Sequence, residues 1–173
     1  PISGIKSYLE QFPNEDILFY ILGNKTKILN LIKNHSIDKN YKIIHTEQDI
    51  KMHDKPSEAI KRKNDSSMVK SLELLRDKKV DAVISAGNTG ALMLGASIIV
   101  RKIDGVKRVV LAPKIPNKFK HFTLADVGAN ISLSPQNYIN IARLCSTYRK
   151  SIDPQTNPRV HLLNIGTEKN KGT

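Results

Sequence analysis

At 173 residues, 39% apolar and 25% charged, the chain is long enough for one globular domain with its own core, and its 9 Gly and 8 Pro exclude collagen-like and low-complexity classes. No stretch approaches the roughly 20 apolar residues of a membrane-spanning helix, no basic segment followed by an apolar run is visible in residues 1–15, and the single Cys145 excludes an internal disulfide scaffold and any multi-cysteine metal site. A soluble, cytoplasmic protein is expected. The formal charge of +12 leaves two readings open. One is an electropositive surface for nucleic acid, an anionic membrane or an acidic partner; the other is compositional drift, since Lys, Ile and Asn make up 56 of the residues while Arg is only 7 and Trp is absent. Nucleic-acid surfaces favour Arg forks and stacking aromatics, so no nucleic-acid partner is expected.

Ile2, Ile5, Tyr8, Leu9 and Phe12 fall at helical spacing, and no strand precedes them. In an alternating α/β chain that order implies a missing first strand. Asp16 to Gly23 reads as an apolar β run stopped by Gly, after which Asn24 caps a helix through Lys33. Tyr41 to Thr46 is a second β run. Residues 56–63 and 66–77 read as helices, the latter capped by Ser66 or Ser67 and burying Met68, Val69, Leu72 and Leu75. Val80 to Ser85 is a third strand, and Thr89 to Lys102 a helix apolar enough all round to be buried against a sheet or a partner subunit. Val109 to Ala112, Phe122 to Val127 and Val160 to Ile165 are further strands, and Pro135 to Lys150 is a helix with Ser134 as cap and Pro135 at its first position. Nearly apolar strands separated by helices predict a mostly parallel sheet covered on both faces, in a single α/β domain over residues 1–173. The chain stops in a loop after Ile165, so an interior piece of a longer protein is expected, with a processed or artificially bounded product as the alternative.

Three Gly/Asn-rich loops follow three of these strands: Ser85-Ala86-Gly87-Asn88-Thr89-Gly90-Ala91, Asp126-Val127-Gly128-Ala129-Asn130, and Asn164-Ile165-Gly166-Thr167-Glu168 running on to Lys171-Gly172. In an open parallel sheet such loops line one edge and can converge on one crevice. The chemistry suits an anion. Glycines admit phosphate to backbone N–H groups, Thr89 can donate at the start of its helix, the Asn amides can orient a ligand, and Lys171 supplies a mobile positive charge. Each loop taken singly is also an ordinary turn; it is the recurrence after three strands that favours a site. Neither a Walker A loop nor a Gly-x-Gly-x-x-Gly fingerprint is present. His35, His45, His53, His121 and His161 share no metal-ligand spacing, and no metal or cofactor is expected.

Lys63-Asn64-Asp65-Ser66-Ser67-Met68, followed by the three loops above in this order and spacing, resembles the successive signatures of the bacterial phosphate acyltransferase (PlsX) family, and the resemblance runs over essentially the whole chain. It implies a three-layer α/β/α fold like that of isocitrate and isopropylmalate dehydrogenases and of phosphotransacetylases. It also implies an activity: conversion of acyl-acyl carrier protein and inorganic phosphate to acyl phosphate for phospholipid synthesis. The family's opening strand with its Met-Gly-Gly-Asp loop and roughly its second half have no counterpart here. Lys63-Asn64-Asp65 stands where the family usually has Lys-Lys-Asp, and His53 occupies an acidic position beside Asp54.

In the mechanism so implied, a phosphate oxygen attacks the carrier thioester directly, and no protein nucleophile is required. Lys171, Asn130 and Asn88 are the expected catalytic residues. Ser85, Gly87, Thr89, Gly90, Asp126, Gly128, Asn164, Gly166, Thr167, Glu168, Ser66 and Ser67 are expected to bind substrate or phosphate. The partners implied are the acidic acyl carrier protein, a second copy in the full-length family, and the inner face of the membrane with its acyl-phosphate:glycerol-3-phosphate acyltransferase. Arg101, Lys102, Lys107, Arg108, Lys114, Lys118 and Lys120 are a candidate docking face, or else a solvated Lys-rich loop. A phosphotransacetylase-like enzyme using coenzyme A, a noncatalytic fragment and a nucleic-acid-binding module are the rival readings.

Overall fold

Tyr20, Ile21 and Leu22 lead an apolar run into Gly23, and this run pairs in parallel with a second one of the same character. The computed structural model describes residues 1–118, 120–130, 132–155 and 157–163. β1 (Phe19–Gly23) and β2 (Tyr41–His45) are in register from Phe19 opposite Tyr41 to Gly23 opposite His45. The crossover between them is α2 (Lys25–Asn34), started where the Asn24 side chain accepts a hydrogen bond from the Lys27 N–H. Before them lies α1 (Ile2–Gln11), which follows the expected spacing. Ile2, Ile28, Ile32 and Ile37 form a buried cluster, with Ile5, Leu9, Ile21 and Ile43 packed against it. The helical stripes and the strand faces therefore share one apolar layer.

Two units make up the chain, Pro1–Asp104 and Gly105–Thr173. The first contains a further helical group. α3 (Pro56–Arg62) opens with proline at its first position, and α4 (Ser67–Arg76) starts from the fully buried Ser66, whose hydroxyl accepts from the Val69 N–H at 3.3 Å. Met68, Val69 and Leu72 are buried as expected, and with Ile60 and Ala91 they form the second core cluster. Leu75 is only half-buried.

The run expected as one helix over Thr89 to Lys102 forms α5 (Thr89–Gly95), continues as a π-helical stretch (Ala96–Val100), and ends at Arg101 with φ 74°. A Cβ on Gly95 would sit 2.7 Å from Leu72 Cδ1 and 3.0 Å from Ile60 Cδ1, so glycine is what lets this helix lie so close to α3 and α4. Helices cover one side, and Ile98 remains 55% exposed.

The second unit is built on a short antiparallel pair, β3 (Lys114–Pro116) and β4 (His121–Thr123), with Ile115 opposite Phe122. The Leu124 N–H to Pro113 carbonyl and Val127 N–H to Leu111 carbonyl bonds carry the pairing beyond the ladder. α6 (Pro135–Ile152) is capped by Ser134, which accepts from the Asn137 N–H, and it buries Ile141.

The chain is thus α/β with a small parallel sheet. Among the described residues one ladder is parallel and one is antiparallel. Val80 to Ser85, Val109 to Ala112 and residues 160–163 join no ladder among the described residues; Asn164 and Ile165 lie outside them. The physical reason is that an apolar run becomes a strand only when its N–H and C=O groups find a neighbouring backbone. Ile84, 92% exposed, lacks such cover among the described residues. No described helix is long and apolar enough to cross a membrane.

Candidate functional site

In the first unit, the signature residues are tied to one another and to the loop 47–54. Asn88 is buried, and its Nδ2 lies 3.1, 3.1 and 3.0 Å from the carbonyls of Lys51, Met52 and Asp54, to which it donates. Its Oδ1 accepts the Ala91 N–H at 3.0 Å and caps α5. The polar side-chain atoms of Asn88 are therefore spent on holding the loop against the start of the helix. Lys63 Nζ donates to Asp54 Oδ2 at 2.5 Å and to the Asp49 carbonyl at 2.9 Å. Asp65 Oδ2 accepts the Glu47 N–H at 2.8 Å, and the Asp65 N–H donates to Gln48 Oε1. The Lys63 ammonium, then the Lys51 N–H, hold the Asp54 carboxyl below its usual range.

The glycines of the same loop serve close packing. A Cβ on Gly90 would lie 2.8 Å from Pro56 Cγ, and one on Gly87 would lie 3.3 Å from Met68 Cε. Ser85 Oγ accepts the Gly87 N–H at 3.2 Å. Thr89 is exposed at the first helical position, and Ser67 is half-buried at the first position of α4.

The second unit brings Asp126, Gly128 and Asn130 together in one loop. Asp126 Oδ1 accepts the N–H groups of Leu111 at 3.0 Å and Ala129 at 3.2 Å, and Oδ2 accepts the Asn130 N–H at 2.7 Å and Asn130 Nδ2 at 2.9 Å. Burial pushes this carboxyl up, but the Asn130 amide and the three backbone N–H groups outweigh it, leaving the group below its ordinary range. Gly128 has φ 106°, a conformation an L side chain rarely adopts, and it turns the chain between the two ends of this bracket. Asn130 Nδ2 also donates to the Val109 carbonyl at 3.0 Å, so both hydrogens of its amide are used. Arg108, Ala129, Asn130 and Ser132 line a cleft of about 350 Å³ at this loop. Asn164, Gly166, Thr167, Glu168 and Lys171 lie outside the described residues.

The chain from residue 3 to residue 173 matches the family described as "Fatty acid synthesis protein". The chain belongs to that family. A protein named phosphate acyltransferase from Bacillus pumilus (strain SAFR-032) is 41% identical over 172 residues, covering 99% of this chain and 50% of the relative. One of the same name from Clostridium kluyveri is 38% identical over 173 residues, 99% of this chain and 52% of the relative. Another, from Thermosipho africanus, is 41% identical over 172 residues, 99% and 50% respectively. The chain spans about half the length of the curated relatives it matches. The family resemblance carried by the four motifs is borne out.

Within this member of the fatty acid synthesis protein family, sequence reasoning missed Arg108 and Ser132 as lining residues. In sequence, Arg108 is one cation among the lysines of the candidate docking face. Its usable signal is its place immediately before an apolar run, Val109 to Ala112, whose first carbonyl turns out to anchor Asn130. The ion pair between Lys63 and Asp54 was also missed, although Lys63 heads a signature.

Proposed function

We propose that this chain is the N-terminal to central part of an acyltransferase that joins inorganic phosphate to an acyl group carried as a thioester on acyl carrier protein, giving acyl phosphate for phospholipid synthesis. The observation that carries this reading is the 38–41% identity, over 99% of the chain, to relatives named phosphate acyltransferase. The fold of the complete enzyme would be the three-layer α/β/α arrangement of isocitrate and isopropylmalate dehydrogenases, with residues 1–173 as one α/β domain of it.

In the reaction, a lone pair on a phosphate oxygen attacks the thioester carbonyl, a C–O bond forms, and the C–S bond breaks to release the carrier's thiolate, which takes a proton from water. Catalysis then rests on positioning and charge, since no side chain needs to form a covalent bond. Lys171 would hold phosphate and offset charge on the developing oxyanion. Asn130 would orient the acceptor, and the Asp126 to Gly128 turn would hold Asn130 in place. The hydrogen bonds of Asn88 favour a positioning part for it, through the 51–54 loop. Ser85, Gly87, Thr89 and Gly90 in the first unit, and Asn164, Gly166, Thr167 and Glu168 in the second, would contribute further substrate contacts.

The acidic carrier would dock on Lys114, Lys118 and Lys120 of the second unit by electrostatic attraction, and the full-length enzyme would work as a homodimer in the cytoplasm, peripheral to the membrane whose acyltransferase consumes acyl phosphate. Charge reversal at Lys114, Lys118 and Lys120 should then weaken carrier binding most at low salt, and unchanged binding would remove this face from consideration. The central test is to incubate the chain with acyl-acyl carrier protein and labelled inorganic phosphate and look for labelled acyl phosphate. Turnover of acyl-coenzyme A with none of the carrier thioester would replace the donor assigned here, and no acyl phosphate from either donor would make the chain a noncatalytic piece.

A further inference from the structure

Arg108 stands out in the second unit because it lines a cleft and no acidic side chain pairs with it among the described residues. An unpaired guanidinium in a concave site is a ready partner for a tetrahedral oxyanion, which it can grip through two parallel N–H donors. Its position is fixed from the backbone. The carbonyl of the next residue, Val109, accepts Asn130 Nδ2, so the same hydrogen bond seats Arg108 and Asn130 on one cleft. Ser132 adds a hydroxyl that can donate or accept.

The orientation of the Asn130 amide carries the inference further. Both acceptors on its nitrogen side, the Val109 carbonyl and Asp126 Oδ2, demand donors, which assigns that atom as NH₂. The amide atom left for a ligand is then Oδ1, an acceptor. Asp126 stands behind it with its negative charge already satisfied by four N–H groups. An anion settling here meets one strong cation, one hydroxyl and one acceptor. A fully deprotonated oxyanion would leave the acceptor facing lone pairs, whereas an anion that brings its own proton satisfies it.

We propose that the Arg108, Asn130 and Ser132 cleft binds inorganic phosphate as hydrogen phosphate, with Arg108 gripping two oxygens and Asn130 Oδ1 accepting the P–O–H proton. The proposal deepens the acyltransferase reading by assigning the acceptor's seat, and rests on that reading only for what the bound phosphate is used for. The acceptor makes the site selective. Sulfate has no proton at neutral pH, and a phosphate monoester, with its second pKa at about 6, has largely lost its own above neutrality, while inorganic phosphate keeps one. The phosphate on the carrier's pantetheine arm is a diester with no P–O–H proton at neutral pH, and is therefore the disfavoured source.

The test titrates the 173-residue chain at pH 8 and constant ionic strength with inorganic phosphate, sulfate and methyl phosphate, following the amide signals of Ala129, Asn130 and Ser132 by NMR. Phosphate should shift them saturably, with sulfate and methyl phosphate about tenfold weaker, the loss expected for one unmatched polar contact to a charged group. Arg108→Met should weaken phosphate binding at least about tenfold, with Arg108→Lys between it and wild type. Equal binding of the three anions, undiminished binding in Arg108→Met, or no saturable shift would each overturn the proposal; the comparison of anions on wild type stands even where a variant fails to fold. Selective phosphate binding in a chain that forms no acyl phosphate would keep this site and make the chain a noncatalytic piece. Acyl phosphate formation with an unchanged KM for phosphate in Arg108→Met would do the reverse.

Discussion

Asn88 and Asn130 occupy corresponding places in two signature loops, and they spend their amides differently. Asn88 directs its nitrogen at three carbonyls of one loop and its oxygen at the first turn of α5, so all its bonds run inward. Asn130 uses only its nitrogen inward, on Asp126 and Val109, and lines a cleft with Arg108. The same residue type, in the same kind of Gly/Asn loop, is thus a brace in the first unit and a lining residue in the second. What separates them is burial and supply of acceptors: Asn88 is 6% exposed among carbonyls that have few other donors, whereas Asn130 is half-buried beside a carboxylate.

The largest expected effect breaks the brace. Asn88→Ala should destabilise the chain by about 3 kcal/mol, about 1 for the lost helix cap and about 1 for each of two amide hydrogens shared among three carbonyls. Urea unfolding measures it, and Asn88→Asp sharpens it by keeping the cap while losing the donors. A change below about 1 kcal/mol in Asn88→Ala would mean that the 51–54 loop is held by other contacts, with the Lys63 to Asp54 pair as the first candidate.

Next comes the bracket beneath Asn130. Asp126→Asn should cost about 1–3 kcal/mol, because four N–H groups lose a charged acceptor. The folded-state pKa of Asp126 is depressed, so its contribution is fully present above the ordinary carboxylate value near 3.9 and is lost as pH falls through the lower folded value. The acid limb of the stability profile should therefore be shallower in Asp126→Asn than in wild type. Identical acid limbs would show that the bracket adds nothing to the folded state.

How far the sequence was readable follows from the same contrast. Periodicity and caps placed α1, α2, α3, α4 and α6, because each needs only its own stripe and its own first turn: Asn24, Ser66 and Ser134 accept the N–H groups that capping chemistry assigns them. The missing strands were not readable, because pairing is decided by a second segment; Val80 to Ser85 has the composition of a strand and no ladder among the described residues. The motifs identified the family but could not divide ligand contact from support. Whether an Asn amide faces a carbonyl or a cleft depends on residues 20 to 40 positions away, such as Lys51 for Asn88 and Val109 for Asn130. Arg108 was hidden for a related reason, since among lysines of a +12 chain a lining cation and a solvated one look alike.

The smallest effect concerns the join between β4 and α6, where the second unit carries a contact that titrates. Arg149 NH1 donates to His121 Nε2 at 2.7 Å, which requires a neutral imidazole with that nitrogen unprotonated. Burial pushes the His121 pKa down, Lys114, Arg149 and Lys120 add to this, and Asp153 opposes it. A base with a depressed folded-state pKa contributes stability that is complete above its ordinary value near 6.5 and is lost as pH falls through the folded value. Lowering the pH from 7.5 to 5 protonates the ring and should thus loosen the hairpin from α6, read as lower protection factors at Phe122 and Arg149 once the intrinsic pH dependence of amide exchange is divided out. His121→Gln retains an acceptor and cannot be protonated, so its protection factors should lack that step. An equal fall in protection in His121→Gln would assign the pH response elsewhere and leave the Arg149 contact as simple packing.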